Sequence, residues 1–287
     1  MNHATPSREH YFIPQPSFYP VLLSGGLFLL ALGFIETING YELGKLVMLG
    51  GFAIIVYVLF GWFGRVINES RSGAYRDWED VSFRYGMVWF IASEVAFFGA
   101  FFGALFYLRL ISVPELGGMV AAHGTSLWPD FVGTWPTSGP KGSPFTPMSA
   151  WGIPAINTAL LLSSGATVTW AHWGLLQGKR RQLNLGLAAT VVLGMLFIGF
   201  QAYEYHHAYT EMGLTLGAGA YGATFFMLTG FHGFHVTLGT IMLSVILLRC
   251  LKGDFDARRH FAFEGVAWYW HFVDVVWLLL FIFVYWV

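Results

Sequence analysis

The fold is decided by a segment that runs from Trp89 to Leu110 and reads WFIASEVAFFGAFFGALFYLRL. It is long and apolar enough to cross a lipid bilayer as a helix. Its one carboxylate is Glu94. If the helix enters the bilayer near Arg84, a rise of about 1.5 Å per residue places Glu94 roughly 15 Å deep. This depth is close to the midplane of a hydrocarbon core about 30 Å thick. An ionisable group there is costly and marks a candidate functional site.

Composition places the chain among polytopic membrane proteins. Of its 287 residues, 56% are hydrophobic and only 11% are charged, which is too little charge for a soluble domain of this length. The net charge of -1 gives no reason to expect nucleic acid as a partner. Cys250 is the single cysteine, so no internal disulfide is expected. A polar head through Ser17, with no small-residue cleavage site after the first apolar run, predicts no cleavable signal.

Seven apolar segments are long enough to span the bilayer, so the predicted fold is an all-α membrane protein with seven transmembrane helices. Five glycines within the spans are expected to permit close helix packing. The predicted spans are residues 18–35, 43–66, 83–111, 151–176, 183–206, 220–248 and 263–287. The glycines are Gly99, Gly103, Gly230, Gly233 and Gly239.

Basic residues in the connections predict the orientation. Twelve of the fifteen Lys and Arg residues fall on one side of the predicted spans, and only Lys45, Arg109 and Lys141 do not. Because basic loops are retained in the cytoplasm, we expect a cytoplasmic N terminus. An odd number of spans then places the C terminus outside.

Two connections predict how the chain is divided. The one long loop covers residues 112–150, is rich in Pro and Gly, and is expected to lie outside and cap the helix ends. The short charged connection at 64–82 is the most plausible boundary between two parts of the chain. The predicted domains are a two-helix unit at residues 1–72 and a five-helix bundle at residues 73–287.

The histidines on four of the predicted helices invite a haem or metal interpretation. A dihaem cytochrome needs two helices that each present two histidines roughly three to four turns apart. The only pair in the middle of a helix is His232 and His235, which are three residues apart. A metal site assembled from several helices stays open as an alternative, but no carboxylate–histidine motif supports it. We therefore expect hydrogen-bonded packing groups and no metal ligands.

Carboxylates in the apolar spans have two interpretations each. Glu264, His271 and Asp274 share one face of the last span and could form either interhelical polar contacts or a proton relay. Glu94 lies among phenylalanines, and burial there favours the neutral acid unless a cation is close. It could be a structural hydrogen-bond donor to a histidine of a neighbouring helix, or a functional group.

Three classes of membrane protein can be compared on these residues. A heptahelical photoreceptor is disfavoured by the inverted orientation and by the lack of a lysine in the last span for a retinal Schiff base. A transporter should show Gly or Pro interruptions at matched mid-depth positions, whereas the prolines here cluster in the head and the long loop. A membrane subunit of a larger complex, without a redox centre of its own, agrees best with the residues.

Five segments give that complex a name by resemblance. Together they cover nearly all of the last five predicted helices, and they resemble subunit III of the haem-copper cytochrome c oxidases in sequence and order. The segments are RYGMVWFIASEVAFFGAFF (84–102), PAINTALLLSSGATVTWAHW (154–173), GFQAYEY (199–205), YGATFFMLTGFHGFHVTLGT (221–240) and FEGVAWYWHFVDVVWLLLF (263–281). The first two helices match only generally, apart from GWFGRVINES (61–70).

The resemblance implies a subunit of the complex that passes electrons from cytochrome c to O2 while pumping protons. In that family the haems and coppers belong to subunits I and II, which would be the partners of this chain. The two-helix and five-helix parts form a V-shaped cleft that holds phospholipids and leads O2 toward subunit I. Subunit III also stabilises the catalytic core and supports proton uptake. No catalytic residue and no metal are expected in this chain.

Site residues follow from the same resemblance. Glu94 matches the buried glutamate of the third helix, and it is grouped with the other polar residues of the spans as a proton or O2 route: His232, His235, His271, Asp274 and Glu264. The expected lipid-binding residues are Trp62, Phe63, Arg65, Glu69 and Arg249. The lipid contacts depart from the family pattern at Phe63, Gly64 and Asn68. The loop at 112–150 is longer than in mitochondrial members of the family, which favours a bacterial plasma membrane.

Overall fold

A computed structural model describes residues 12–118 and 128–286, and every regular element in these two ranges is helical. Seven of the eight α-helices in these ranges are long, and the remaining one, the fourth in chain order, is a single short turn. Their bounds are α1 Tyr19–Ile38, α2 Leu43–Arg71, α3 Asp77–Tyr107, α4 Val113–Leu116, α5 Ile153–Leu176, α6 Arg180–Thr210, α7 Ala220–Lys252 and α8 Phe261–Leu280. A π-helical turn at Leu108–Ser112 joins α3 to α4, and another at Phe281–Trp286 continues α8.

Six of the seven long helices are apolar enough and long enough to cross a membrane. The predicted all-helical membrane fold is therefore confirmed, whereas α5 falls below the apolarity of the other six within the described residues. Its sequence explains this, because polar groups such as Asn157 and Ser164 interrupt the apolar run. Both side chains are fully buried against neighbouring helices.

Several helices extend beyond the predicted spans because polar residues continue the helix outside its apolar part. α3 begins at Asp77, six residues before its predicted start, and α6 covers Arg180–Thr210 instead of 183–206. The first turn of α3 contains Asp77, Glu79 and Asp80, whose negative charges stabilise the N-terminal end of the helix dipole. Val287, the last residue of the seventh predicted span, lies outside the described residues.

The chain divides into two compact units, Met1–Phe83 and Arg84–Val287. In the first unit α1 and α2 pack so closely that there is no room for a side chain at two of their glycines. A Cβ atom on Gly51 would lie 2.5 Å from the backbone nitrogen of Leu30, and one on Gly33 would lie 2.6 Å from the carbonyl oxygen of Gly44. Glycine at these positions therefore lets the two backbones touch. The predicted domain boundary after residue 72 stays a prediction.

The second unit is organised around α8, which packs between α5 and α7, while α6 contacts both α5 and α7. Trp270 and Trp277 of α8 are fully buried at the centre of the core. The Trp270 ring occupies a slot made by two glycines, since a Cβ on Gly239 would lie 2.8 Å from the ring and one on Gly194 2.9 Å. The Trp270 indole N–H donates to the Ser164 hydroxyl at 2.8 Å.

The described part of the long loop lies against the connection between α6 and α7. The backbone N–H of Thr146 donates to the carbonyl of Met212, and that of Tyr221 donates to the carbonyl of Thr137. The Phe145 ring stacks on Tyr221 with centroids 5.3 Å apart. These contacts hold residues 137–146 over one end of the bundle. Residues 119–127 of the predicted loop lie outside the described part.

Candidate functional site

A buried pair of ionisable groups joins α3 to α7. His235 Nε2 lies 2.8 Å from Oε2 of Glu94, and its Nδ1 lies 2.6 Å from the carbonyl oxygen of Phe231. The imidazole is largely buried, with 9% of its side chain exposed, and the carboxyl group is 20% exposed. The sequence alone suggested a histidine of a neighbouring helix as a partner for Glu94, and the structure places His235 there.

The contacts of His235 determine how many protons the pair holds. A carbonyl oxygen only accepts, so Nδ1 must carry a hydrogen and donate it to Phe231. A short contact between Nε2 and the carboxyl oxygen then requires one further proton between them. Whether this proton resides on Glu94 or on His235, the pair has no net charge. A shared proton thus makes burial of both groups in an apolar bundle tolerable.

An aromatic shell surrounds this pair. Phe98 meets the His235 ring edge-on at 5.0 Å between centroids, and Tyr269 stacks on the other side at 6.4 Å. Phe97 contacts both Phe98 and Phe231, with ring centroids 5.5 and 5.0 Å apart. The shell keeps the shared proton in a low-dielectric environment, where a hydrogen bond is stronger than in water.

Glu264 lies apart from that pair and forms a salt bridge with Arg84. Arg84 donates to Oε2 of Glu264 from both Nε, at 3.1 Å, and a terminal nitrogen, at 2.7 Å. The guanidinium also lies over the Phe261 ring, 5.8 Å from its centroid. This contact joins the start of the apolar part of α3 to the first turn of α8. The sequence predicted a polar role for Glu264 but missed Arg84 as its partner.

His271 and Asp274 of α8 face α5. His271 Nε2 lies 3.2 Å from the Thr169 hydroxyl, whereas its Nδ1 is 3.8 Å from Oδ2 of Asp274, too long for a hydrogen bond. The Asp274 carboxyl packs against Gly165, where any Cβ would collide with Oδ2. Its other oxygen, Oδ1, is buried without a hydrogen-bond partner among the described residues.

His232 is the most enclosed of the predicted site residues. Its ring lies between Trp277 and Phe197, with centroids 5.2 and 5.8 Å away. Neither ring nitrogen has a hydrogen-bond partner in the described part of the chain. The six residues predicted as one route therefore fall into four separate groups: His232 alone, Glu94 with His235, Glu264 with Arg84, and His271 with Asp274.

The predicted lipid-binding residues of α2 lie beside an open groove of about 740 Å³ in the first unit. Arg65 and Glu69 line it, and Nε of Arg65 donates to the Glu69 carboxylate at 3.2 Å. Tyr19 also lines the groove and stacks on Trp62, with centroids 6.3 Å apart. Phe63 is exposed on the same helix.

Tyr75 closes the hydrogen-bonding arrangement around Glu69. Its hydroxyl donates to the second carboxylate oxygen at 2.7 Å. Two causes raise the pKa of the Tyr75 phenol well above its usual value: burial is the larger, and this hydrogen bond to an anion is the smaller. The phenol therefore stays neutral, and the Glu69 carboxylate is held from both sides by donors.

Arg249 belongs to the second unit and already has a partner within the chain. Its Nε donates to Oδ2 of Asp254 at 3.1 Å, and its guanidinium lies 4.4 Å from the centroid of the Phe255 ring. Only 12% of the side chain is exposed. These contacts orient the guanidinium at the end of α7 and occupy one of its five N–H groups.

Sequence reasoning missed one buried carboxyl group, Glu204 of α6. Its Oε1 accepts hydrogen bonds from the Tyr285 hydroxyl at 2.6 Å and from the Gln201 amide at 3.1 Å. The signal was available, because Glu204 follows an apolar run just as Glu94 lies within one. In the two described ranges, no group of three or more His, Cys, Asp and Glu residues could hold a metal ion.

Comparison with known proteins identifies the family. The sequence profile described as Cytochrome c oxidase subunit III matches residues 9–287. Among similar proteins, cytochrome c oxidase subunit 3 of Marchantia polymorpha is 42% identical over 98% of this chain and 97% of its own length. The corresponding protein of Prototheca wickerhamii is 41% identical over 97% of this chain and 98% of its own length. That of Latimeria chalumnae is 39% identical over 96% of this chain and 96% of its own length. The chain therefore belongs to the cytochrome c oxidase subunit III family.

Proposed function

We propose that this chain acts as the non-redox subunit III of a proton-pumping cytochrome c oxidase. Electrons would pass from cytochrome c to O2 through haems and coppers held by subunits I and II. The observation that carries the proposal is that two ionisable groups of the second unit pair with side chains of other helices. Glu94 and Glu264 are each engaged by one basic partner on another helix, an arrangement suited to holding helices together.

The proposed contribution to the complex is support of the catalytic core. Interhelical contacts made by Glu94, Glu264 and Trp270 link α3, α5, α7 and α8. A subunit whose helices are linked in this way would hold neighbouring subunits in place through many turnovers. The V-shaped cleft implied by the resemblance is part of this proposal, as is the seventh membrane span, α5.

Phospholipid binding is the second part of the proposal. The groove beside α2 is lined by Tyr19 and Phe60, which suit acyl chains, and by Arg65, whose guanidinium can pair with a phosphate. Trp62 and Phe63 add apolar surface on the same helix. Arg249 would supply a second phosphate contact through N–H groups other than the one that binds Asp254.

A route for O2 and support of proton uptake complete the proposal. The aromatic shell around Glu94 and His235 is apolar, as a path for O2 requires, and the pair contains a proton that can move between two atoms 2.8 Å apart. The complex would lie in a bacterial plasma membrane, with the N terminus in the cytoplasm. The clusters of basic residues at 179–181 and 249–259 support this orientation.

Purification through a tag on this chain tests the proposal. We expect the haem absorption and copper of an oxidase to copurify, along with subunits I and II. The chain separated from them should show neither haem absorption nor stoichiometric copper. Isolation of this chain without any haem-containing partner would overturn the assignment, as would haem bound to the separated chain.

A further inference from the structure

Four polar side chains meet inside the bundle near one end of α6, and none of them belongs to the predicted route or to the groove beside α2. They are Asn157, Gln201, Glu204 and Tyr285, and we call them the Glu204 cluster. Each of these residues is 7% exposed or less. Glu204 lies six residues before Thr210, which at about 1.5 Å per residue is roughly 9 Å from the end of α6. The cluster is therefore an internal feature of the second unit.

Aromatic rings lie between the Glu204 cluster and the loop that covers this end of the bundle. Phe225 meets the Tyr285 ring edge-on, with centroids 5.3 Å apart, and stacks on Tyr221 at 5.9 Å. The loop continues this run with Phe145, whose ring centroid is 5.3 Å from that of Tyr221. The polar groups of the cluster must therefore find their hydrogen-bond partners inside the bundle.

The hydrogen bonds of Glu204 indicate where its proton lies. Oε1 accepts from the Tyr285 hydroxyl at 2.6 Å and from the Gln201 amide at 3.1 Å. No basic side chain contacts Glu204 in the described ranges. Because a buried carboxylate without a cation is costly, the neutral acid is the favoured form. Since Oε1 already accepts two hydrogen bonds, the proton belongs on the other oxygen, Oε2.

The cluster then contains one donor and one acceptor that the protein leaves unpaired. Oε2 of Glu204 and Oδ1 of Asn157 are both buried and have no hydrogen-bond partner among the described residues. The side chain of Asn157 faces the cluster, because its amide nitrogen donates to Oε1 of Gln201 at 3.4 Å. The Glu204 hydroxyl and the Asn157 oxygen thus lack direct contact with each other. Each would lower the stability of the protein if it remained unpaired.

We infer that a single buried water molecule bridges Oε2 of Glu204, which is held as the neutral acid, to Oδ1 of Asn157. The water accepts a hydrogen bond from the Glu204 O–H and donates one to the Asn157 oxygen. Its second hydrogen can go to the remaining lone pair of Gln201 Oε1, which gives the three contacts that are usual for buried water. The bridge ties α5 to α6, a role for these residues that the proposed function does not include.

A metal cation is a poorer occupant of the Glu204 cluster. Ca²⁺ and Mg²⁺ take about six or more oxygen ligands. The cluster offers two unpaired oxygens, one from Glu204 and one from Asn157. A water molecule needs only about two to four polar partners.

A cryo-EM map of the purified complex, at a resolution that shows ordered water, tests the bridge. We expect a peak about 2.6–3.2 Å from both Oε2 of Glu204 and Oδ1 of Asn157. A wild-type map without this peak would overturn the inference. So would a peak with six or more oxygen ligands at about 2.3–2.6 Å, because that geometry belongs to a cation.

A matched pair of variants shows whether Asn157 holds the water. Asn157→Leu keeps a side chain of similar size without polar atoms, and we expect the peak to be lost. Asn184→Leu makes the same substitution at the opposite end of α6, about 30 Å from Glu204, and should retain the peak. Persistence of the peak in Asn157→Leu would contradict the bridge.

Infrared spectroscopy of the same preparations tests the proton. A neutral carboxyl group has a C=O stretching band at higher frequency than the bands of a carboxylate. At neutral pH we expect Glu204→Gln to lose one such band, and Asn157→Leu to shift it, since the O–H then loses its bridge. Glu211→Gln removes an exposed carboxyl group at the end of the same helix and should leave the band unchanged. Loss of carboxylate bands in Glu204→Gln, with the C=O band intact, would show that Glu204 is charged and would overturn the inference.

Discussion

Glu94 and His235 are 141 residues apart in sequence, yet their side chains meet at 2.8 Å between Oε2 and Nε2. The opposite ring nitrogen is engaged by the Phe231 carbonyl at 2.6 Å. His235 therefore has one ring nitrogen committed to its own helix and the other to α3. The pair joins two membrane helices with a single shared proton and no net charge.

A glutamine at position 94 should preserve this junction. The amide of Glu94→Gln can donate to Nε2 of His235, so we expect normal assembly of the complex and unchanged haem spectra. Glu94→Leu leaves that nitrogen unpaired, and the expected loss of stability is about 1 kcal/mol. Thermal unfolding of the purified complex measures the difference.

Ser93→Ala is a suitable control, because the Ser93 hydroxyl donates only to the Phe90 carbonyl of its own helix. It should unfold at the same temperature as wild type. If Glu94→Gln lost the other subunits as readily as Glu94→Leu, then the ionisable proton, and not the hydrogen bond alone, would be needed for assembly.

The salt bridge between Arg84 and Glu264 should contribute measurably to stability. Arg84→Met removes a donor that reaches the carboxylate through two nitrogens, and it leaves the charge of Glu264 partly buried. We expect a loss of about 1.5–3 kcal/mol, typical of hydrogen bonds to charged groups. The measurement is a thermal unfolding series of Arg84→Met, Glu264→Gln and the double variant.

The double variant should be less destabilised than the sum of the single ones, because each single change already breaks the pair. Arg259→Ala serves as a control, since its pair with Asp256 is exposed and 3.7 Å long. Such surface pairs contribute about 0–1 kcal/mol. Strict additivity of Arg84→Met and Glu264→Gln would show that the two side chains do not stabilise each other.

Neighbouring glycines of α2 should respond in opposite ways to alanine. At Gly51 a Cβ would lie 2.5 Å from the Leu30 nitrogen, so Gly51→Ala must push α1 and α2 apart. Overpacking of this kind costs about 1–3 kcal/mol. At Gly50 an added Cβ meets no described atom within 4 Å, so Gly50→Ala should be neutral or slightly stabilising.

Helical circular dichroism during heating of the detergent-solubilised protein can compare the two variants. The expected order of unfolding temperatures places Gly51→Ala below wild type and Gly50→Ala at or above it. Equal destabilisation by both would mean that flexibility of α2, and not its contact with α1, explains the glycines.

The glycines also show which features of packing the sequence could predict. Gly239 was predicted to permit close packing, and this is confirmed by the Trp270 ring that occupies the space. At Gly99, Gly103 and Gly233 a Cβ would find open space among the described residues, so for these three glycines close packing stays a prediction. Composition shows that small residues are present in a helix, but whether they permit close packing depends on which face of the helix meets a neighbour.

Helix positions were predictable because the apolar length needed to span a bilayer is visible in a single segment. Partners of polar groups were not, since Arg84 and Glu264 are 180 residues apart and many basic residues could have paired with either. The polarity of α5 was visible in Asn157 and Ser164, yet hydropathy alone could not tell that these side chains turn inward. Pairing requires the three-dimensional arrangement, whereas span length does not.

Arg249 offers a test that separates lipid binding from a purely internal role. Arg249→Ala is expected to lower the phospholipid retained by the purified complex and to shorten its active lifetime during turnover, because a phosphate would lose its guanidinium partner. Arg249→Lys keeps the charge but not the planar fork, so an intermediate result is expected. Phosphorus analysis and loss of oxidase activity with turnover number are the measurements.

Asp254→Asn provides the matched comparison, because it weakens the internal salt bridge at 3.1 Å while leaving the guanidinium in place. If Arg249 holds a lipid phosphate, Asp254→Asn should retain as much phospholipid as wild type, since the guanidinium is freer to pair with it. If Arg249 serves only the connection between α7 and α8, Asp254→Asn should shorten the active lifetime as much as Arg249→Ala does, with the same lipid content in both. The second pattern would remove Arg249 from the proposed lipid-binding residues and leave Arg65 as the basic group of the groove beside α2.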